Sequence, residues 1–317
     1  MYSFIELLRA LAVLLITNSH FDGVYPWDIS WGGCPGVAIF FLISGFLLVK
    51  GCSEYNFFPW WKKKVMRLYI PLTLVNVVTI LIGFRTASIS LFVFPIGINL
   101  WYVPAISIFY IFYYFIIRKF RSDIYKIVTI FFIIVIYAIN YVMQYRNEFF
   151  VEPELTFRLL YGFTAMLIGS LIYDHRNSNT FKTKRIMWLI LGIGSCGGFL
   201  FVKLFINYGF LMFIKIQFIT QVFGVAFALF MLLAGIGYEN DIRKLMKTWI
   251  GKILRKVSTY SLDIYLVQFV IIYYLKNIIF PINFILITVL IFLSAMILHS
   301  LSNKINSKIE LVTFQKG

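Results

Sequence analysis

The first apolar run of the chain carries three side chains that chemistry could use: Glu6, Arg9 and His20. Residues three apart share a helix face, so Glu6 and Arg9 do. Eleven residues make about three turns, so Arg9 and His20 also share a face, about 16 Å apart along the axis. An imidazole titrates near neutrality and can take a proton from a hydroxyl or carry an acyl group transiently. An arginine on the same face would stabilise negative charge. A plainer reading puts Glu6 and Arg9 at one lip of a membrane span and His20 at the other.

Other polar side chains interrupt apolar runs further along. Arg158, Lys203, Lys215 and Asp263 lie in or near such runs. A charge at the centre of a bilayer costs about 2.5–3.5 kcal/mol, so each is a functional candidate. Lys203 is expected to snorkel outward. Asp263, beside Tyr260 and Tyr265, needs a partner inside the protein. His299 reads as a packed or lip residue, and His175 as solvated. Around Ser44 the chain reads Gly36-Val-Ala-Ile-Phe-Phe-Leu-Ile-Ser44-Gly45-Phe46. The plain explanation is close helix packing through small residues. Lys62, Lys63, Lys64 and Arg67 stand just before a further apolar run. They are either an ordinary cytoplasmic anchor or a phosphate site. Cys34, Cys52 and Cys196 are scattered and read as small buried residues, and no metal spacing is present.

These side chains must be positioned by a membrane protein. The 317 residues are 61% hydrophobic, 20% aromatic and only 13% charged, and the mean hydropathy is +0.87. That is too much apolar surface for a soluble domain. The formal charge of +16 would suggest nucleic acid in a soluble protein. Here it serves topology, and nucleic acid is not an expected partner. Apolar runs of spanning length fall at about 5–21, 36–49, 68–84, 100–117, 124–143, 157–173, 186–205, 211–237, 257–275 and 284–301. The second is short and glycine-containing, which suggests a kinked or re-entrant segment. Most of the 29 cations fall on one side of this pattern, in clusters around Lys62–Arg67, Arg118–Lys126, Arg176–Arg185 and Arg243–Lys256, with Arg121 and the tail residue Lys316 among them. The positive-inside rule then places both termini in the cytoplasm. The outer loops carry acids such as Glu148 and Glu152 instead. The expectation is an all-α, polytopic integral membrane bundle of about ten transmembrane helices, forming a single domain over 1–317.

In this order, these pieces resemble the membrane-bound acyltransferase 3 family. Arg9 and His20 are similar to its opening motif, an Arg, ten residues and a His. Gly36, Phe40, Phe41, Ser44, Gly45 and Phe46 resemble its second motif. The basic loop ending in Arg67 and Pro71 resembles its third. Asn99-Leu-Trp101-Tyr102 resembles the start of its fourth span, and Ser258…Ser261-Leu-Asp263-Ile-Tyr265-Leu-Val-Gln268 a late motif. The resemblance runs from about Met1 to Gln268. Gln268 stands where the family commonly carries a second His, and Lys63 or Lys64 where a first Arg is usual.

The resemblance implies transfer of an acyl group, most often acetyl, from cytoplasmic acyl-CoA to a hydroxyl of a cell-surface glycan or its lipid-linked precursor, in the plasma membrane and without a metal. His20 would be the general base or acyl carrier, Arg9 would stabilise negative charge and Glu6 would orient Arg9. Lys62, Lys63, Lys64 and Arg67 would hold the CoA phosphates. Ser44, Trp101, Tyr102, Arg158, Asp263, Tyr265 and Gln268 would line the substrate. Competing readings are a transporter of glycan precursors, a glycan polymerase and a non-catalytic relative. No paired broken helices in two matching halves speak for a transporter, and no large outer loop speaks for a polymerase.

Overall fold

Apolar runs of about 20 residues become helices in a bilayer because a helix satisfies its own backbone polar groups there. The computed structural model describes residues 2–84, 100–119, 122–144 and 150–314, with side chains to Ile309. Asn99, Arg121, Glu148 and Lys316 lie outside the described residues. Among the described residues the regular structure is all helical. In chain order the helices are α1 (Ser3–Ser19), α2 (Gly33–Glu54), α3 (Phe57–Leu81), α4 (Tyr102–Lys119), α5 (Asp123–Gln144), α6 (Leu155–Asp174), α7 (Asn179–Thr183), α8 (Arg185–Asn207), α9 (Leu211–Lys215), α10 (Ile219–Gly237), α11 (Glu239–Leu245), α12 (Trp249–Thr259), α13 (Ser261–Leu275) and α14 (Ile282–Phe314).

The protein is an all-α, polytopic membrane protein. Seven of these helices are long and apolar enough to cross a bilayer, and α12 with α13 makes an eighth span if the broken pair counts as one. The two further runs read from the sequence are α1, with 17 residues, and α4, with 18 residues that end on Arg118 and Lys119. The run at 211–237 divides into α9 and α10, and the run at 257–275 breaks at Tyr260.

The chain divides into two units. The first comprises Met1–Leu15, Gly32–Tyr55 and Phe112–Ser258. Its central element is α2, which packs along α6 and α10, while α10 packs along α8 and α5 along α6. α2 is apolar on all sides, as a central helix must be. Its spanning window is 67% buried, against 0% for α5, which therefore turns its apolar surface outward. The second run, read as short and kinked or re-entrant, is one continuous helix of 22 residues, α2. Gly45 sits where the backbone of α6 occupies the space a side chain would need. A Cβ at Gly45 would lie 1.8 Å from the Met166 carbonyl oxygen, and one at Gly169 of α6 would lie 2.0 Å from that of Leu42.

Polar groups in this unit find specific partners. The carboxylate of Glu239 caps α1 from a distance in sequence, accepting from Ser3 N at 3.1 Å and Phe4 N at 3.0 Å. Those are two of the N–H groups a helix start leaves unsatisfied. Lys126, expected among the exposed loop cations, is instead 2% exposed and paired with Asp174 and Asp123. Burial of that amine is sustained by the two carboxylates. Lys203 is paired with the Glu152 carboxylate of the acidic loop. His175 is exposed as expected, with Nε2 2.9 Å from Asp123.

The second unit comprises Ile16–Trp31, Asn56–Ile111 and Thr259–Gly317. Here α13 packs along α14 and α3, and α14 along α3. The start of α3 is anchored by aromatic side chains. Trp60 is buried against Tyr110, with centroids 5.8 Å apart, and Trp61 Nε1 donates to the Ser107 carbonyl at 3.4 Å.

Candidate active site

The end of α1 is held by its own polar residues. His20 N donates to the Thr17 carbonyl at 3.1 Å. Asn18 Nδ2 donates to the carbonyls of Ile29 and Trp31, each at 2.9 Å, and Asn18 Oδ1 accepts from the Tyr25 hydroxyl at 2.9 Å. One side chain thus folds the following loop back onto the helix end and fixes where His20 stands. The imidazole is half-buried and meets Phe269 of α13 edge to face, with centroids 6.2 Å apart.

α13 gathers most of the other residues singled out from the sequence. Gln268, 1% exposed, accepts from the Thr17 hydroxyl at 2.6 Å. This bond joins α13 to α1 about one turn before His20. Tyr265 packs edge to face on Tyr102 at 5.8 Å, and Trp101 lies beside Tyr102 at 6.4 Å. His20, Gln268, Tyr265, Tyr102 and Trp101 are therefore brought to one helix of the second unit. A half-buried imidazole at a fixed helix end can take a proton from a hydroxyl, while Tyr102, Tyr265 and Gln268 are themselves buried.

The partner that Asp263 requires is His299 of α14. Asp263 is 3% exposed, and its Oδ2 lies 2.9 Å from His299 Nδ1. His299 Nε2 lies 2.9 Å from Asn303 Nδ2, and the Tyr260 ring packs on the imidazole at 5.0 Å. An ionised carboxylate only accepts and an amide nitrogen only donates. His299 thus bridges the buried Asp263 carboxyl and the Asn303 amide. Arg67 of α3 adds its positive charge to the surroundings of the same carboxylate. Within the basic cluster, Lys62, Lys63 and Arg67 are exposed and Lys64 is half-buried. Sequence reasoning read His299 as a packed or lip residue and did not pair it with Asp263. The only available signal was the unpartnered Asp263, and nothing local named a residue 36 positions away. A His299→Ala variant is expected to lose about 3 kcal/mol of stability, because removing one partner strands a buried carboxylate. Thermal unfolding of the detergent-solubilised protein measures this, and an unchanged midpoint would refute the pairing.

Glu6, Arg9, Ser44 and Arg158 belong to the first unit. Glu6 Oε2 is paired with Arg255 Nε at 3.1 Å. Arg9 is half-buried on α1, and Ser44 is half-buried next to the close approach at Gly45. Arg158 Nε donates to the Glu152 carbonyl at 2.6 Å, which ties α6 to the acidic loop.

A family model described as an acyltransferase domain matches residues 2–301. No curated protein and no solved structure matches the chain. The match covers nearly the whole sequence, including every residue of the α13 grouping and of the Asp263–His299 pair. With its multiple apolar spans, the chain belongs to the acyltransferase 3 family and is a multi-pass membrane acyltransferase.

Proposed function

We propose that the protein transfers an acetyl group from acetyl-CoA to a hydroxyl of a cell-surface polysaccharide or its lipid-linked precursor, in the plasma membrane with both chain ends in the cytoplasm. The hydroxyl oxygen attacks the thioester carbonyl while His20 accepts the hydroxyl proton. The carbon–sulfur bond breaks, and the CoA thiolate leaves and takes up a proton. Trp101, Tyr102, Tyr265 and Gln268 hold the acceptor. Lys62, Lys63, Lys64 and Arg67 receive donor phosphates, and Arg9 is assigned to a negative charge on the donor.

The observation that carries this reading is the α13 grouping in a chain of this family: a half-buried imidazole at the fixed end of α1, next to Phe269 and near aromatic side chains suited to a sugar. The test uses purified protein in proteoliposomes with labelled acetyl-CoA and a lipid-linked glycan. Acceptor-dependent CoA release and alkali-labile label on the glycan are expected. Label that stays in acetyl-CoA, whatever glycan is added, would overturn the reading.

A further inference from the structure

A cavity of about 350 Å³ opens in the first unit where α1 and α8 begin and α6 and α10 end. That volume lies at the lower end of the range for small-molecule sites, roughly 300–1,000 Å³. Three cations line it: Arg176, Lys182 and Arg185. The one carboxylate in its wall, Glu239, is already engaged by Ser3 N, Phe4 N and Arg243. The pocket therefore carries more positive charge than its own acid offsets.

The two arginines are held in place with donors to spare. The Arg176 guanidinium lies over the Tyr173 ring at 3.9 Å, with Nη1 donating to the Tyr173 carbonyl at 2.7 Å. The Arg185 guanidinium lies over the Tyr238 ring at 4.6 Å and pairs with Asp241 at 3.0 Å. A guanidinium has five N–H donors, so most remain for a ligand. The Lys182 side chain is exposed and makes no hydrogen bond or ion pair among the described residues. The exposed ring of Tyr2 forms an aromatic wall, backed edge to face by the buried Phe46 with centroids 5.9 Å apart. A topological anchor needs only cations near a span end. Here three converge on one cavity beside an aromatic surface.

We propose that this cavity is a phosphate-binding site: Arg176, Lys182 and Arg185 take the phosphate oxygens, and the exposed ring of Tyr2 takes the flat or apolar part joined to them. The same chemistry is offered by the phosphates of a nucleotide such as coenzyme A and by an anionic phospholipid headgroup. The inference rests on the geometry of the first unit: with a lipid as ligand it goes beyond the acetyl-transfer reading, and with coenzyme A it deepens that reading by adding a phosphate contact to those assigned to Lys62–Arg67.

The experiment uses the full chain in nanodiscs of neutral phosphatidylcholine. Binding of labelled coenzyme A is measured in one arm, and retention of phosphatidic acid through purification in the other. Lys182→Glu and Arg185→Gln are compared with the unsubstituted protein. Lys182 is exposed and unpaired, so its reversal leaves the fold intact, and the melting temperature checks both variants. A fall of about tenfold in coenzyme A affinity, deepening as salt is lowered, supports the site with a nucleotide as its ligand. Unchanged coenzyme A binding with lost phosphatidic acid supports it with a lipid as its ligand. If neither ligand is held, or both variants hold both ligands as before, the proposal is overturned. Glycan acetylation assayed on the same preparations reports separately on the acetyl-transfer reading.

Discussion

A His20→Ala variant is expected to lose about a hundred- to ten-thousand-fold in the rate of acyl transfer, the range a positioned general base contributes. The loss should be chemical and not structural. His20 lies one residue beyond α1. Its location is set by the Asn18 contacts to Ile29 and Trp31, by its backbone bond to Thr17 and by the Thr17–Gln268 bond. None of these uses the imidazole. Alanine therefore removes the ring, its edge contact with Phe269 included, while these bonds survive. His20→Gln is the sharper companion, since an amide keeps hydrogen-bonding capacity but cannot carry the proton. Both variants should melt near the unsubstituted protein and show a fall in kcat with little change in the donor KM, the signature of an interaction made in the transition state. Acetyl incorporation into glycan within a few-fold of normal in folded His20→Ala would remove His20 from the reaction.

The positions of α1–α3 and of most later spans are readable as apolar runs, because the bilayer leaves the backbone few alternatives. What escapes such reading is pairing at a distance. Asn18 is visibly polar in an apolar stretch, but its role depends on carbonyls in the loop that follows. Asp263 is visibly misplaced, but His299 becomes its partner only once α13 packs on α14. Lys126 counts as a loop cation until Asp174, 48 residues away, closes over it. The break at Tyr260 is equally hidden: hydropathy averaged over 257–275 stays high across a change of direction. The glycines of α2 show the opposite case. Their composition suggests both close packing and a kink, and only the position of α6 decides for packing.

Gly45→Ala is therefore expected to be the most damaging single-methyl substitution in the first unit. The new Cβ would stand 1.8 Å from the Met166 carbonyl oxygen, with the carbonyl carbon at 2.7 Å. Those are backbone atoms of α6, so no rotamer change can relieve the clash and the helices must separate. Separation would also strain the reciprocal approach of Gly169 to Leu42 and the Tyr113 hydroxyl's bond to the Gly45 carbonyl at 2.5 Å. Overpacking costs about 1–3 kcal/mol where side chains can adjust and more where they cannot, so about 3 kcal/mol or more is expected here. In a membrane no hydrophobic drive between helices makes up for lost close packing. Little monodisperse protein should survive size-exclusion chromatography after solubilisation. Gly197→Ala of α8 is the control, because a Cβ there meets nothing within 4 Å. Replacing glycine by alanine inside a helix otherwise gains roughly 0.5–1 kcal/mol, so this variant should express and melt at or above the unsubstituted level. The two substitutions add the same methyl group with the same helix propensity. Opposite outcomes would assign the difference to the α2–α6 approach, and equal tolerance would show that this approach is not what holds the first unit together.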